Sequence, residues 1–90
     1  MNATLIVRHQ VADYAAWRRV FDEAEPLRVK HGSTGHHVMN FPGDPNDLVA
    51  IHHFPSEVQA QAFVQDPTLK EDMQRGGVIG APRIEILLDK

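Results

Sequence analysis

The chain is predicted to fold as an α+β domain, a four-stranded antiparallel sheet with helices on one face in the order βαββαβ. Three observations predict it. Short β-branched runs open and close the chain, ATLIVRHQ near the start and RIEILLD near the end. Two stretches between them carry apolar residues at helical spacing. At the centre, GHHVMNFPGDPNDLVAIHHF places two short strand-like runs around a segment of turn-forming Pro, Gly, Asp and Asn. That order is the split βαβ, or ferredoxin-like, arrangement.

The first strand is expected over about residues 3–10. Asp13 is a plausible N-cap for the helix that follows, in which Tyr14, Trp17, Phe21 and Ala24 recur on one face and Val20 and Leu27 widen the stripe. Pro26 should kink or split that helix before His31-Gly32 closes it. STGHHVMNF and LVAIHHF then form a hairpin. A six-residue loop, PGDPND, would set Phe41 opposite Leu48, Met39 opposite Ala50 and His37 opposite His52. On the other face Val38 would meet Ile51 and His36 would meet His53.

Ser56-Glu57-Val58-Gln59 matches a capping box and starts the second helix. Asp66-Pro67 interrupts it, with Asp66 as a new cap and Pro67 in the first helical position. A third helical piece ends at Gly76-Gly77, and the last strand is expected after Pro82. Gly76 to Gly80 reads as a flexible connection. It lacks the Walker string and precedes a strand, so it is no phosphate loop.

Length and charge bound the function. Ninety residues make one domain, 1–90, and a chain this short buries only a little over roughly 60% of the surface it exposes when unfolded. It has no cysteine to staple the fold, so association with a second copy is the remaining common remedy. Both faces of the expected hairpin carry apolar residues, whereas a sheet wet on one side alternates. A homodimer is therefore expected. The net charge of -3, with acids and bases interspersed, offers no basic stripe for nucleic acid and no polybasic membrane anchor. With no long apolar run or signal-like start, a cytoplasmic protein is expected.

Several strings resemble the dimeric α+β barrel superfamily, particularly small proteins grouped near antibiotic-biosynthesis monooxygenases and polyketide cyclases. They are VADYAAWRRVFDE, GSTG, HHFPSEVQAQAFVQDPTLKEDM and GVIGAPRIEIL, together nearly the whole chain. The resemblance implies two sheets sharing a barrel, helices outside it, and a small-molecule cleft between helices and sheet. It also implies oxygenation without metal or flavin, so no cofactor is expected. Haem-degrading relatives carry a tryptophan before the second helix and a histidine within it. Phe54 and Phe63 stand there here, which points away from haem chemistry.

The resemblance also places Phe54 on the cleft. Residues of matching parity, His37, Met39, Phe41, Ala50 and His52, should share its face. His37 and His52 are then the candidate catalytic acid/base pair, with His9 nearby, because neutral imidazole can both give and accept a proton. The plainer reading is a pair of cross-strand polar contacts. Tyr14, Trp17, Met39, Phe41 and Phe54 are the candidate substrate walls, although Tyr14 and Trp17 are equally what a helix core requires. No metal site is expected, since the histidine pairs lack a third or fourth ligand in any usual pattern. Arg8, Arg83 and Glu85 read as cross-strand pairs. The expected function is cofactor-free chemistry, of monooxygenase, cyclase or isomerase type, on a small aromatic or polyketide-like molecule. The alternative is a noncatalytic binding or interaction domain.

Overall fold

A computed structural model describes residues Met1–Lys90. Strand β1 is Ala3–Val11 and is followed by α1, Tyr14–Glu23, and α2, Glu25–Lys30. Strands β2, Gly35–Phe41, and β3, Asp44–Phe54, form the hairpin. Helices α3, Glu57–Gln65, and α4, Pro67–Arg75, lead into β4, Val78–Leu88. The sheet is antiparallel throughout, in the order β2-β3-β1-β4, so the ferredoxin-like α+β expectation holds.

Local chemistry accounts for most boundaries. Asp13 caps α1 by accepting from the Ala16 N–H, and Ser56 caps α3 by accepting from the Gln59 N–H. Asp66 accepts from the Thr68 N–H to start α4 with Pro67 in its first turn. Pro26 splits the first helical stretch as expected. The break falls earlier, at Ala24, because a proline is best accommodated in the first turn of a new helix.

The hairpin departs from the expected register. The ladder joins His36 to His52, His37 to Ile51, Val38 to Ala50 and Met39 to Val49, one residue away from the predicted pairing. The turn is only Pro42-Gly43, with Phe41 opposite Asp44, and three further residues of β3 bulge before Leu48 meets Asn40. Asn40 Nδ2 donates to the Pro45 carbonyl at 2.6 Å, which holds the bulge closed. Side chains alternate between faces along a strand, so this one-residue slip moves a whole set from one face to the other. His37, Met39 and Phe41 therefore lie on the face away from the helices.

The last strand begins five residues before the predicted start. Val78 pairs with Val11 and Ile79 with Gln10, so Gly76-Gly77 alone make the turn that was expected to reach Gly80. Gly77 has φ of 80°, a conformation that glycine adopts without a Cβ penalty. Pro82 is tolerated because β4 is an edge strand and the register shifts there, between Arg8 and Gln10 of its neighbour.

The helix-facing side of the sheet carries two buried clusters. Ala3, Leu5, Val7, Phe54, Ala60 and Phe63 form one beneath α3, and Val11, Trp17, Phe21, Leu48 and Ala50 form the other beneath α1. A cleft separates them. No helix is long and apolar enough to cross a membrane.

Candidate functional site

The floor of the cleft comes from the two central strands. Val7 of β1 stands directly opposite Ala50 of β3, and these small side chains leave room between the clusters. His9 lies two residues along β1 from Val7, and His52 two residues along β3 from Ala50. The strands run in opposite directions, so the imidazoles sit at opposite ends of the floor, roughly 13 Å apart along the strand direction at about 3.3 Å per residue. Trp17 and Phe21 of α1 and Phe63 of α3 close over the middle, and Leu69, Met73 and Asp72 of α4 complete the far wall. The cleft encloses about 50 Å³ that the centre of a water molecule can reach.

Both imidazoles are buried, His9 at 6% and His52 at 4% exposure. His9 Nδ1 and Nε2 and His52 Nδ1 meet no protein hydrogen-bond partner. Burial lowers the pKa of His9. It pushes His52 down to about 3, assisted by the positive charge of Arg28 and by His36. His36, across the ladder, is lowered for the same two leading reasons, burial and then Arg28. All three rings are therefore neutral near pH 7, each with one donor and one acceptor nitrogen. A His52 held so low is a weak base at neutral pH. Its aptitude is to position and polarise a bound oxygen, not to carry a proton in free exchange with solvent.

The aromatic surroundings fix these rings. Trp17 meets His9 edge-on at 5.5 Å between centroids and stacks on Phe21 at 4.9 Å. Phe63 lies 5.1 Å from His52. Arg28 enters the same space from α2, with its side chain only 3% exposed and its guanidinium 4.0 Å from the Phe21 ring centroid. Its acid partner is Glu25, at 2.9 Å.

Of the residues predicted from sequence, Trp17 and His52 line the cleft. Tyr14 and Phe54 stand one layer behind, Tyr14 against Trp17 at 6.1 Å and Phe54 against Phe63 at 5.4 Å. His37, Met39 and Phe41 are absent from it, because the register turns them to the opposite face. His36 takes the place expected of His37. Phe21 lies on the apolar stripe of α1 that the sequence shows, whereas Arg28, beyond the break at Ala24, carries no sequence signal of its burial.

Elsewhere, Arg8 bonds Asp47 of β3 at 3.2 Å and stands opposite Arg83, which pairs with Glu85 of its own strand at 3.4 Å, so the expected pairing between β1 and β4 does not form. Nowhere do three His, Asp or Glu side chains gather as a metal would require.

No protein-family model matches the chain, and no curated protein sequence does. Solved structures do match. SnoaB from Streptomyces nogalater, a cofactor-independent oxygenase, superposes with a TM-score of 0.80 at 13% identity, over 99% of this chain and 93% of its own. An antibiotic biosynthesis monooxygenase superposes at 0.74 with 11% identity, over 98% of both chains. NE2512 from Nitrosomonas europaea, of unknown function, gives 0.73 at 21% identity, over 96% of this chain and 86% of its own. At these identities the likeness establishes the shared fold.

Proposed function

We propose that the chain is a homodimeric oxygenase of the cofactor-independent kind, acting on a small aromatic or enolisable molecule bound between helices and sheet. The observation that carries this reading is the pair of buried neutral imidazoles, His9 and His52, at the two ends of one apolar cleft with unpaired ring nitrogens. Buried polar atoms without partners are costly, and an apolar ligand bearing oxygen would satisfy those at the end of the cleft it occupies. The fold likeness to SnoaB supports the reaction class.

In such a reaction the substrate supplies the electrons. A substrate that has given its proton to water before entering the cleft is a phenolate or enolate, and it reacts with O2. A ring CH2 becomes C=O, one oxygen atom enters the product, and the other leaves as water, which balances four electrons. His52 holds the ionised oxygen through a hydrogen bond, and Trp17, Phe21 and Phe63 exclude water. Tyr14 and Phe54 brace Trp17 and Phe63 from behind.

A second reading, a noncatalytic binding domain, is favoured by the small free space, since ring side chains already fill much of the cleft. Oxygen uptake separates the two. Purified protein stripped with chelator is given a panel of single-ring phenols and enolisable cyclic ketones, with uptake measured against autoxidation. Ketone formed in step with oxygen consumed, and lost in His52→Ala and Trp17→Ala, supports the oxygenase. Binding without uptake across the panel supports the second reading.

A further inference from the structure

We propose that the ligand of this cleft is a single-ring monoanion, a molecule of about one aromatic ring carrying one acidic oxygen, with that oxygen received by Arg28 beside His52. This names the substrate class and rests on the reading that the cleft is a ligand site.

Size is the first constraint. At roughly 10–15 Å³ of centre-accessible space per water, the 50 Å³ of the cleft corresponds to about three to five waters. An apolar cavity that takes one benzene ring is about 150 Å³, so the side chains around the cleft must give way somewhat even for a single ring. A polycyclic body would have to displace Trp17 or Phe63, which are 4% and 2% exposed and packed in the two cores.

Charge is the second. Arginines are almost never fully buried unless paired, and Arg28 is 3% exposed with a partner, Glu25, that is 54% exposed. The acid stays in water while the base enters the cleft. Both bonds to Glu25, from Nε and from Nη2, converge on the one oxygen Oε2. A planar fork with five donors has capacity left for a second carboxylate or phenolate, and Glu25, being solvated, is readily exchanged.

Polar geometry is the third. Arg28, His36 and His52 gather around Phe21 at 4.0, 5.2 and 5.9 Å. Both imidazoles are kept neutral, first by burial and then by Arg28, so they offer hydrogen bonds without adding charge. Asp72, the carboxylate on the cleft wall, is engaged by Arg75 at 3.1 Å. One positive charge therefore faces the ligand beside an unpartnered His52 Nδ1.

The test uses the full chain and simple probes. Trp17 is the sole tryptophan and lines the cleft, so its fluorescence reports occupancy, with calorimetry as a check. Benzoate, benzyl alcohol, benzylamine and 2-naphthoate are titrated at pH 7. Benzoate should bind at least about 10-fold tighter than benzyl alcohol or benzylamine, the scale of a hydrogen bond to a charged group, and about 10-fold tighter than 2-naphthoate. Arg28→Met should abolish the preference for benzoate over benzyl alcohol. Glu25→Gln, at an exposed position, should tighten benzoate several-fold and leave benzyl alcohol unchanged.

Equal affinity for benzoate and benzyl alcohol overturns the proposal, as does 2-naphthoate matching benzoate. Failure of benzoate to bind at millimolar concentration, or no response of its affinity to Glu25→Gln, does the same. No arm depends on turnover. A cleft that selects benzoate without any oxygen uptake keeps the anion site and removes the oxygenase, and uptake without anion selection does the reverse.

Discussion

His36 stands opposite His52 in the β2–β3 ladder, with ring centroids 6.4 Å apart, while its neighbour His37 stands opposite Ile51 on the other face. Each histidine pair in the sequence is thus divided, one member toward the helices and one away. His36 and His52 share the environment of Phe21 and Arg28, so their ionisation is coupled to the cleft.

Ring-proton NMR should therefore show His52 unprotonated from pH 8 to below pH 5, consistent with a pKa near 3, and His36 and His9 titrating below the ordinary 6.5. A His52 midpoint near 6.5 would mean that water reaches the ring freely, and the closed cleft would have to be abandoned.

The same shift makes stability depend on pH with a definite sign. His52 has a lower pKa folded than unfolded, so below 6.5 the unfolded chain binds the extra proton. Its contribution is fully present above pH 6.5 and is lost as pH falls toward 3, by up to roughly 5 kcal/mol at 1.36 per unit. His9 acts in the same direction. Asp66 adds a separate loss at lower pH, because hydrogen bonding to His31, the Thr68 N–H and Lys30 holds its carboxyl well below the usual range. Urea unfolding from pH 8 to 4 should show a falling midpoint, and His52→Leu, which cannot protonate, should flatten that fall. An unchanged slope in the variant would assign the acid sensitivity elsewhere.

Order, caps and helix breaks were legible in the sequence because they are local. Asp13, Ser56 and Asp66-Pro67 act on backbone groups within three residues of themselves. Hairpin register was not, because it depends on a bulge whose Asn46 reaches α1, thirty-two positions away in sequence. That misplaced His37, Met39 and Phe41. The burial of Arg28 was not legible for a different reason. A charged residue on an apolar stripe is ordinarily solvated, and only the packing of α2 over Phe21 shows it inside.

Asn46 is consequently expected to matter beyond its loop. Its Oδ1 accepts from the Tyr14 N–H at 2.8 Å, and its own N–H donates to Asp44 Oδ1 at 2.9 Å, tying the bulge to the first turn of α1. Asn46→Ala should cost about 1 kcal/mol in chemical denaturation, as losing a helix cap does, and should speed hydrogen exchange at Tyr14. Asn46→Asp, which keeps the acceptor, should stay close to wild type.

The turn after α4 separates backbone strain from crowding. Gly77, at φ of 80°, should lose about 1–2 kcal/mol as alanine. At Gly76 a Cβ would instead stand 3.2 Å from Trp17 Cδ1 and 3.2 Å from the Asp72 carbonyl. Gly76→Ala should therefore alter Trp17 fluorescence, whereas Gly77→Ala should lower stability with the emission of the folded protein unchanged.

The far face of the sheet provides the test of self-association. Ile6, Val49 and Ile51 are half-buried there, flanked by Met39 at 50%, Phe41 at 37% and Leu87 at 51% exposure. Met39 stands opposite Val49 and Ile51 opposite Ile6, so the patch runs across β2, β3 and β1, and a second copy would cover it. Light scattering at micromolar concentration should report about twice the 10.1 kDa chain mass. Ile51 lies in a central strand and faces away from the cleft, opposite His37 and Ile6. Ile51→Lys would force the interface to bury an unpaired charge, so it should give a monomer. His52, on the other face, should keep its depressed pKa in that monomer. A wild-type mass of one chain, or a dimer undisturbed by Ile51→Lys, would place the interface elsewhere or remove it.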